Sequence, residues 1–426
     1  EYGAAPNSNV SVISMGHPGT LPRINKRMVE YAVRLGVAVK ANVNYFNGYA
    51  RKNYFYTDLP KGYQITQDTT PVCNGGYITI KNKAGEEKNV GLIRIHMEED
   101  SGKSIHDQDP FNTLIDLNRA GVPLLEIVSK PDIRDADEAY AYLAEVRRLV
   151  RYLEISDGNM EECSLRCDAN ISVKPKGSNK FGTRTEVKNM NSLSNVKRAI
   201  DYEIKRQIEV LEDGGRISQE TRSYDAVKGT TFAMRTKEEA NDYRYFPEPD
   251  LPPVLITEDY IAKIRESLPP LPNELFKKYM YELDLSEYDA ANLSEDKAIA
   301  LYFEALIQHT ANYKAAANWM MGAIKSYLNE NAMTMEAFPV KPEQIAALID
   351  LVETDTISNS VAEQKVFPVL IEEPDKDPEE IAKANNLLQV GDDDEIAAYV
   401  KQAIDKYPEK VKEYKAGKKG LAGMFM

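Results

Sequence analysis

The stretch YRYFPEPDLPPVLI, residues 243–256, carries four prolines. Each proline removes a backbone donor and locks φ, so no helix crosses this stretch and extended structure is the regular option left. It therefore divides the chain. Ahead of it, short β-like runs alternate with helical patterns and hold most of the glycines. Behind it, the pattern turns helical almost throughout. A chain of 426 residues is too long for one ordinary domain. The expected division is 1–265, 266–336 and 337–426.

Hydrophobic periodicity fills in the elements. YITIKNKAGEEKNVGLIRIHM (77–97) reads as two strands joined at a turn over Lys83, Ala84 and Gly85. ANISVKP (169–175) is a further strand, stopped by Pro175. A helix is predicted over 135–153, with Ala139, Leu143, Val146, Leu149 and Val150 on one face. Another is predicted over 191–213, with Val196, Ile200, Ile204, Ile208 and Leu211 inward and Gly214 and Gly215 stopping it. Strands interleaved with helices in this manner point to an α+β fold with a mixed or antiparallel sheet, followed by all-α structure. In the helical part Trp319 is expected in a core, and Ile345, Leu348, Ile349 and Val352 form an amphipathic stripe.

Composition excludes some functions. No run of about 18 apolar residues exists, so no helix is expected to span a membrane. EYGAAPNSNV at the start lacks the basic flank and apolar core of a signal peptide. Three cysteines, Cys73, Cys163 and Cys167, suit a reduced cytoplasmic protein rather than a disulfide scaffold. A net charge of −14 argues against indiscriminate nucleic-acid binding but leaves room for a local basic patch. Acids dominate from Glu372 to Glu395 and lysines from Lys406 to Lys419. The lysine run is either a solvated helix face or a footprint for RNA phosphates.

The densest chemistry lies in IRIHMEEDSGKSIH (93–106), which holds two of the four histidines. Its Gly102-Lys103-Ser104 is no phosphate loop, because that motif needs glycine where Met97 stands. A metal site fits better. On a strand, His96 and Glu98 share one face and Met97 and Glu99 the other. One carboxylate must then face the interior, where an uncompensated charge is costly unless it meets a cation. Glu126, inside the apolar run Val122 to Val128, poses the same problem. Either it pairs with an arginine such as Arg119, or it shares a metal with Glu99. Magnesium, which takes carboxylate oxygens together with substrate phosphates, suits the second reading.

A third stretch, residues 156–192, spaces Arg166, Asp168, Lys174, Arg184, Glu186 and Lys188 among apolar residues. Such a face lines a phosphate-rich cleft, or it is a solvated sheet with cross-strand ion pairs. Cys163 and Cys167 are at most half a zinc site. No Ser-His or Cys-His nucleophile is apparent.

Taken together, ARKNYFYTDLPKGYQIT, IHMEEDSGK, NRAGVPLLEIVSKPD, SDGNMEECSLRCDANISV, GTRTEVKNMNS and DYRYFPEPDLPP resemble the GatB family, one of the subunits of the glutamine-dependent aspartyl/glutamyl-tRNA amidotransferase. The helical remainder resembles that family's helical domain and YqeY-like tail. The resemblance implies a ligase active within a heterotrimer, with an amidase (glutaminase) subunit that hydrolyses glutamine and a small third subunit. Such a protein uses ATP and magnesium to phosphorylate the side-chain carboxylate of Glu or Asp mischarged on tRNA. Ammonia from the glutaminase partner then displaces the phosphate. By the match, Glu99 and Glu126 are the expected metal carboxylates, and Lys52 and Tyr54 line the nucleotide and substrate pocket. Arg166, Asp168, Arg184 and Lys188 line the pocket or a tunnel entrance. Lys412, Lys415 and Lys418 are the expected tRNA contacts. The family's GLEVH-type segment, whose Glu and His complete the metal site, would precede residue 1, and the tail is expected to be short at its end. Ser11 and Ser14 stand where zinc-bearing members have cysteines, so no zinc is expected. The competing reading is a tRNA-binding or assembly subunit without chemistry of its own.

Overall fold

The computed structural model describes residues 3–106, 108–236, 243–388, 401–402 and 404–415. The chain divides into two compact units, Glu1–Pro272 and Asn273–Met426.

The first unit opens with helix α1 (Lys26–Ala38), whose N-cap Asn25 accepts from the backbone N–H groups of Arg27 and Met28. These are two of the donors that every helix start leaves unpaired. Five short strands follow: β1 (Asn42–Val43), β2 (Phe46–Asn47), β3 (Ala50–Asn53), β4 (Tyr63–Thr66) and β5 (Cys73–Asn74). Helix α1 lies close on β5 because Gly36 has no side chain. A Cβ there would stand 2.3 Å from the Cys73 sulfur.

Strand β6 (Tyr77–Lys81) pairs with the start of the 13-residue strand β7 (Glu87–Glu99). Their turn falls at the expected place. Gly85 takes φ +80°, and the Asn82 side chain accepts from the amides of Ala84 and Glu86. Beyond a small hairpin of β8 (Lys103–Ile105) and β9 (Leu114–Asp116), strand β10 (Pro123–Ser129) returns antiparallel along β7. The sheet order is β1-β5-β7-β10, with β6 on the other end of β7. Val90, Leu92, Ile95 and Met97 of β7 are fully buried in the core that this sheet shares with α1.

Helix α2 (Ala136–Tyr152) is capped by Asp135, and all five residues expected on its inner face are buried. A second sheet follows, built from β11 (Ala169–Ile171), β12 (Thr185–Lys188), β13 (Glu220–Asp225) and β14 (Thr230–Thr236) in that order. Helix α3 (Leu193–Glu212) links β12 to β13, which run parallel, as a crossover helix permits. Val196 and Ile200 of α3 are buried as expected, but Ile208 and Leu211 are 42% and 46% exposed. The far end of that stripe borders a cleft rather than a core.

The proline-rich stretch is extended, and it stitches back onto the first unit. Strand β15 (Phe246–Pro247) pairs with β3, and β16 (Val254–Leu255) pairs with β2. Arg51 clamps it with a two-bond contact to the buried Glu248 at 2.7 and 2.9 Å. Helix α4 (Glu258–Ser267) packs on α1.

The second unit is helical throughout its described residues. Trp319 is buried against Phe367, with ring centroids 5.5 Å apart, so its role is core packing. Ile345, Leu348 and Ile349 face inward, and Val352 is half-buried at the edge of the stripe. The fold is α+β with an all-α second part, as the sequence pattern implies.

Candidate active site

A cavity of about 2590 Å³ runs between β7 and β10 of the first sheet and the second sheet with α2 and α3. The antiparallel register sets Glu126 of β10 directly opposite His96 of β7. Side chains on opposed residues share a face, and Glu98, two residues along β7, shares it as well. His96 Nε2 lies 3.6 Å from Glu98 Oε2 and 3.8 Å from Glu126 Oε2. One ligand atom from each of the three residues falls within 4.8 Å of the others. Among the described residues this is the one group of three that could hold a metal.

The separations are too long for hydrogen bonds, so three donor atoms converge without satisfying one another. His96 is 3% exposed, and its Nδ1 is buried with no partner among the described residues. Glu126 keeps half of its side chain open to the cavity. One imidazole nitrogen and two carboxylates form a donor set that suits a divalent cation.

The surroundings tune this group. Burial pushes the Glu98 carboxyl up, but His96, Lys52 and the Thr66 hydroxyl, which donates at 3.0 Å, together outweigh it. Its pKa therefore lies below the ordinary carboxylate value, and Glu98 is charged. Lys52 stands over two rings, 4.9 Å from the Tyr243 centroid and 5.8 Å from that of Tyr54. Such contacts hold an ammonium in place without neutralising it. Burial, followed by the nearby Glu98 and Asp58 charges, pushes the Tyr54 phenol well above its ordinary range. Tyr54 is therefore a fixed donor, and its hydroxyl bonds Gln64 Oε1 at 3.2 Å.

The structure does not bring Glu99 to Glu126. Glu99 points to the other face of β7, where it pairs with Lys61 and accepts from the Ile65 amide at 3.0 Å. The expected pairing of Glu99 with Glu126 is corrected to one of Glu126 with His96 and Glu98. Alternation in the sequence separates the two faces of β7 but does not say which of them Glu126 of β10 shares. Arg119, the alternative partner for Glu126, is engaged elsewhere. It donates to the carbonyls of Ser101 and Gly102 at 3.0 and 2.7 Å.

Asp100, the third residue on the His96 face, carried no expectation and is 8% exposed. Its Oδ2 accepts from Arg166 at 2.8 Å, with Arg119 Nε at 3.3 Å, and its Oδ1 accepts from the Ser101 amide. Burial holds its pKa above the ordinary value despite both arginines. The strict period of two from His96 is the sequence signal that could have found it.

Arg166, Asp168, Arg184 and Lys188 all line the cavity. Lys188 bonds Asp168 at 2.7 Å, with Glu186 at 3.4 Å. Burial works against the Lys188 charge, but these acids outweigh it and raise its pKa. Burial also pushes the Cys167 thiol up to about 12, so it offers no thiolate at neutral pH. Ser11 and Ser14 bond each other at 2.9 Å. In the second unit, Lys415 is exposed on the helix Pro408–Lys415. The side chain of Lys412, and Lys418 altogether, lie outside the described residues.

Comparison with known proteins is consistent along the whole chain. Residues 1–262 match the model of the GatB/GatE catalytic domain, and residues 301–426 match that of the GatB domain. The aspartyl/glutamyl-tRNA(Asn/Gln) amidotransferase B-subunit of Caldicellulosiruptor bescii is 49% identical over 429 residues, covering 100% of this chain and 89% of its own length. The same proteins of Alkalilimnicola ehrlichii and Persephonella marina are each 47% identical, with the same coverage.

Proposed function

This chain belongs to the GatB family of tRNA-dependent amidotransferase subunits, and from that membership we propose that it activates a tRNA-borne carboxylate with ATP. The observation that carries this reading is the convergence of the buried His96 with Glu98 and Glu126, which line one large cavity together with Lys52. The walls of that cavity bear Arg166, Arg184 and Lys188. Magnesium held by His96, Glu98 and Glu126 would supply charge neutralisation to the phosphates of bound ATP.

A carboxylate is a poor acceptor for ammonia, and conversion to an acyl phosphate supplies a leaving group. In the first step a side-chain carboxylate oxygen of the mischarged Glu or Asp attacks the γ-phosphorus. The bond to the bridging oxygen breaks, and ADP departs with that electron pair. In the second, ammonia released from glutamine by the amidase partner attacks the acyl carbon. Phosphate then leaves with the C–O pair, and the surplus proton passes to water. Phosphoryl transfer of this kind needs positioning and charge stabilisation rather than a protein nucleophile. Lys52, held by its two rings, presents a fixed positive charge beside Glu98. Tyr54 stays protonated and orients Gln64. The small subunit is the third component of the assembly, and Lys412, Lys415 and Lys418 are the proposed contacts to tRNA phosphates.

The test is reconstitution with the amidase and small subunits, mischarged tRNA, ATP, magnesium and glutamine. Glu98→Gln and Glu126→Gln should each abolish acyl phosphate formation while tRNA binding persists. Undiminished ATP-dependent amidation in both variants would sink the reading and leave a binding or assembly subunit.

A further inference from the structure

The face of β7 that carries His96 and Glu98 continues to Asp100, and from there an ion pair crosses the cavity. Asp100 Oδ2 accepts from Arg166 Nη2 at 2.8 Å. Arg166 belongs to the segment between α2 and β11, so this contact spans 66 residues and joins the two walls. The two partners are unequally placed. The Asp100 side chain is 11% exposed, while that of Arg166 is 42% exposed and lines the cavity. Arg119, the other cation at Asp100, donates from Nε and Nη2 to two backbone carbonyls. Arg166 spends one nitrogen on Asp100, and among the described residues its remaining N–H groups have no hydrogen-bond partner.

A bridge that served only to fasten two walls would bury both groups or use both edges of the guanidinium. This one fixes a guanidinium by one nitrogen and leaves the rest facing open space. A planar fork with free N–H groups matches the geometry of a phosphate or carboxylate oxyanion. Its anchor stands two residues from Glu98, on the same strand face as the candidate metal ligands.

We propose that Arg166 binds the oxyanion generated in the kinase step, the phosphoryl group in transfer or the carboxylate that receives it, and that Asp100 is its positioning residue. This rests on the kinase reading above. Fixed in advance by Asp100, the guanidinium stabilises developing charge without reorganising at the moment of reaction. It does so from the same chain, as an arginine supplied in cis does in other phosphoryl-transfer enzymes.

The test uses the reconstituted heterotrimer with mischarged tRNA and ATP, measuring kcat and both KM values for Arg166→Ala, Arg166→Lys and Asp100→Asn, with Glu126→Gln in parallel. Arg166→Ala should lower kcat about 100-fold, the cost of removing one preorganised donor. Millimolar guanidinium should restore part of that loss saturably. A fall in kcat at saturating ATP and tRNA assigns the phosphoryl group. A rise confined to the KM for charged tRNA assigns the acceptor carboxylate. Arg166→Lys, which keeps a cation beside Asp100, should fold normally and retain intermediate activity. Asp100→Asn should lower kcat by a smaller factor without raising the ATP KM. The proposal is overturned if Arg166→Ala keeps wild-type kinetics, or if its loss tracks a lower melting temperature and guanidinium restores nothing. Should Glu126→Gln remain active as well, the kinase reading itself fails. If Glu126→Gln is dead and Arg166→Ala is not, this inference alone falls.

Discussion

Glu98 and Glu99 are neighbours in the chain with separate environments. Glu98 faces His96 and Glu126 across the cavity wall, whereas Glu99 faces Lys61, whose side chain is 5% exposed. Alternation along a strand makes this division legible in the sequence. What the sequence leaves open is the register of β10, because Glu126 could meet either parity of β7 until the pairing with His96 is known. The Lys61 contact was equally hidden, since it arrives from the segment before β4, 38 residues away. Glu99→Gln removes the countercharge of a buried ammonium. Its expected cost is about 3 kcal/mol, the loss typical of breaking a buried pair from one side. Urea unfolding of the purified chain measures it, and an unchanged midpoint would contradict the assignment.

At the scale of elements, helices α2 and α3 were readable from apolar spacing, because a face that packs on a sheet must repeat every three to four residues. Polar groups buried on that same face were not. Glu203 of α3 is fully buried, and Arg206 holds it with two bonds at 2.6 and 3.0 Å. Thr231 of β14 and Gln207 donate to it as well, and Arg222 Nε stands 3.6 Å from its Oε2. Burial pushes the Glu203 carboxyl up, but Arg206, Gln207 and Thr231 outweigh it, so its folded pKa lies below the ordinary 4.5. The carboxylate therefore adds stability in full above its unfolded value, and that contribution is lost as pH falls through the folded one. Glu203→Gln should accordingly lower stability at neutral pH and flatten the acid limb of a stability-against-pH curve. An acid limb as steep as that of the parent chain would count against this account.

For the whole molecule, the proline-rich stretch marked the right place for a change of character. Its pairing with β2 and β3, however, depends on partners some 200 residues earlier that no local pattern reveals. The net charge of −14 means that contact with an RNA must be local. Each lysine–phosphate contact contributes about one unit to the slope of log affinity against log salt. Charge reversal at Lys412, Lys415 and Lys418 together should weaken tRNA binding by the full heterotrimer and reduce that slope by about three. Filter binding across a salt series reads both quantities, and an unaltered slope would remove these lysines from the interface.

Strand β7 also bears on how such a site can work. Around Arg94 and Ile95 it has β5 on one side and β10 on the other, and next to them Met97 donates its amide to Gln67 at 3.0 Å. Local opening free energies are highest where backbone bonds are buried and doubly flanked. His96 and Glu98, the candidate ion ligands on β7, thus lie beside the part of the chain that opens last, while Glu126 is on the edge strand β10. A ligand arriving there meets donors already in place and has little ordering left to impose. Freedom for entry and release falls to the segments around the cavity, so the proposed ion would be selected by fixed geometry and local adaptation left to the proposed larger substrates.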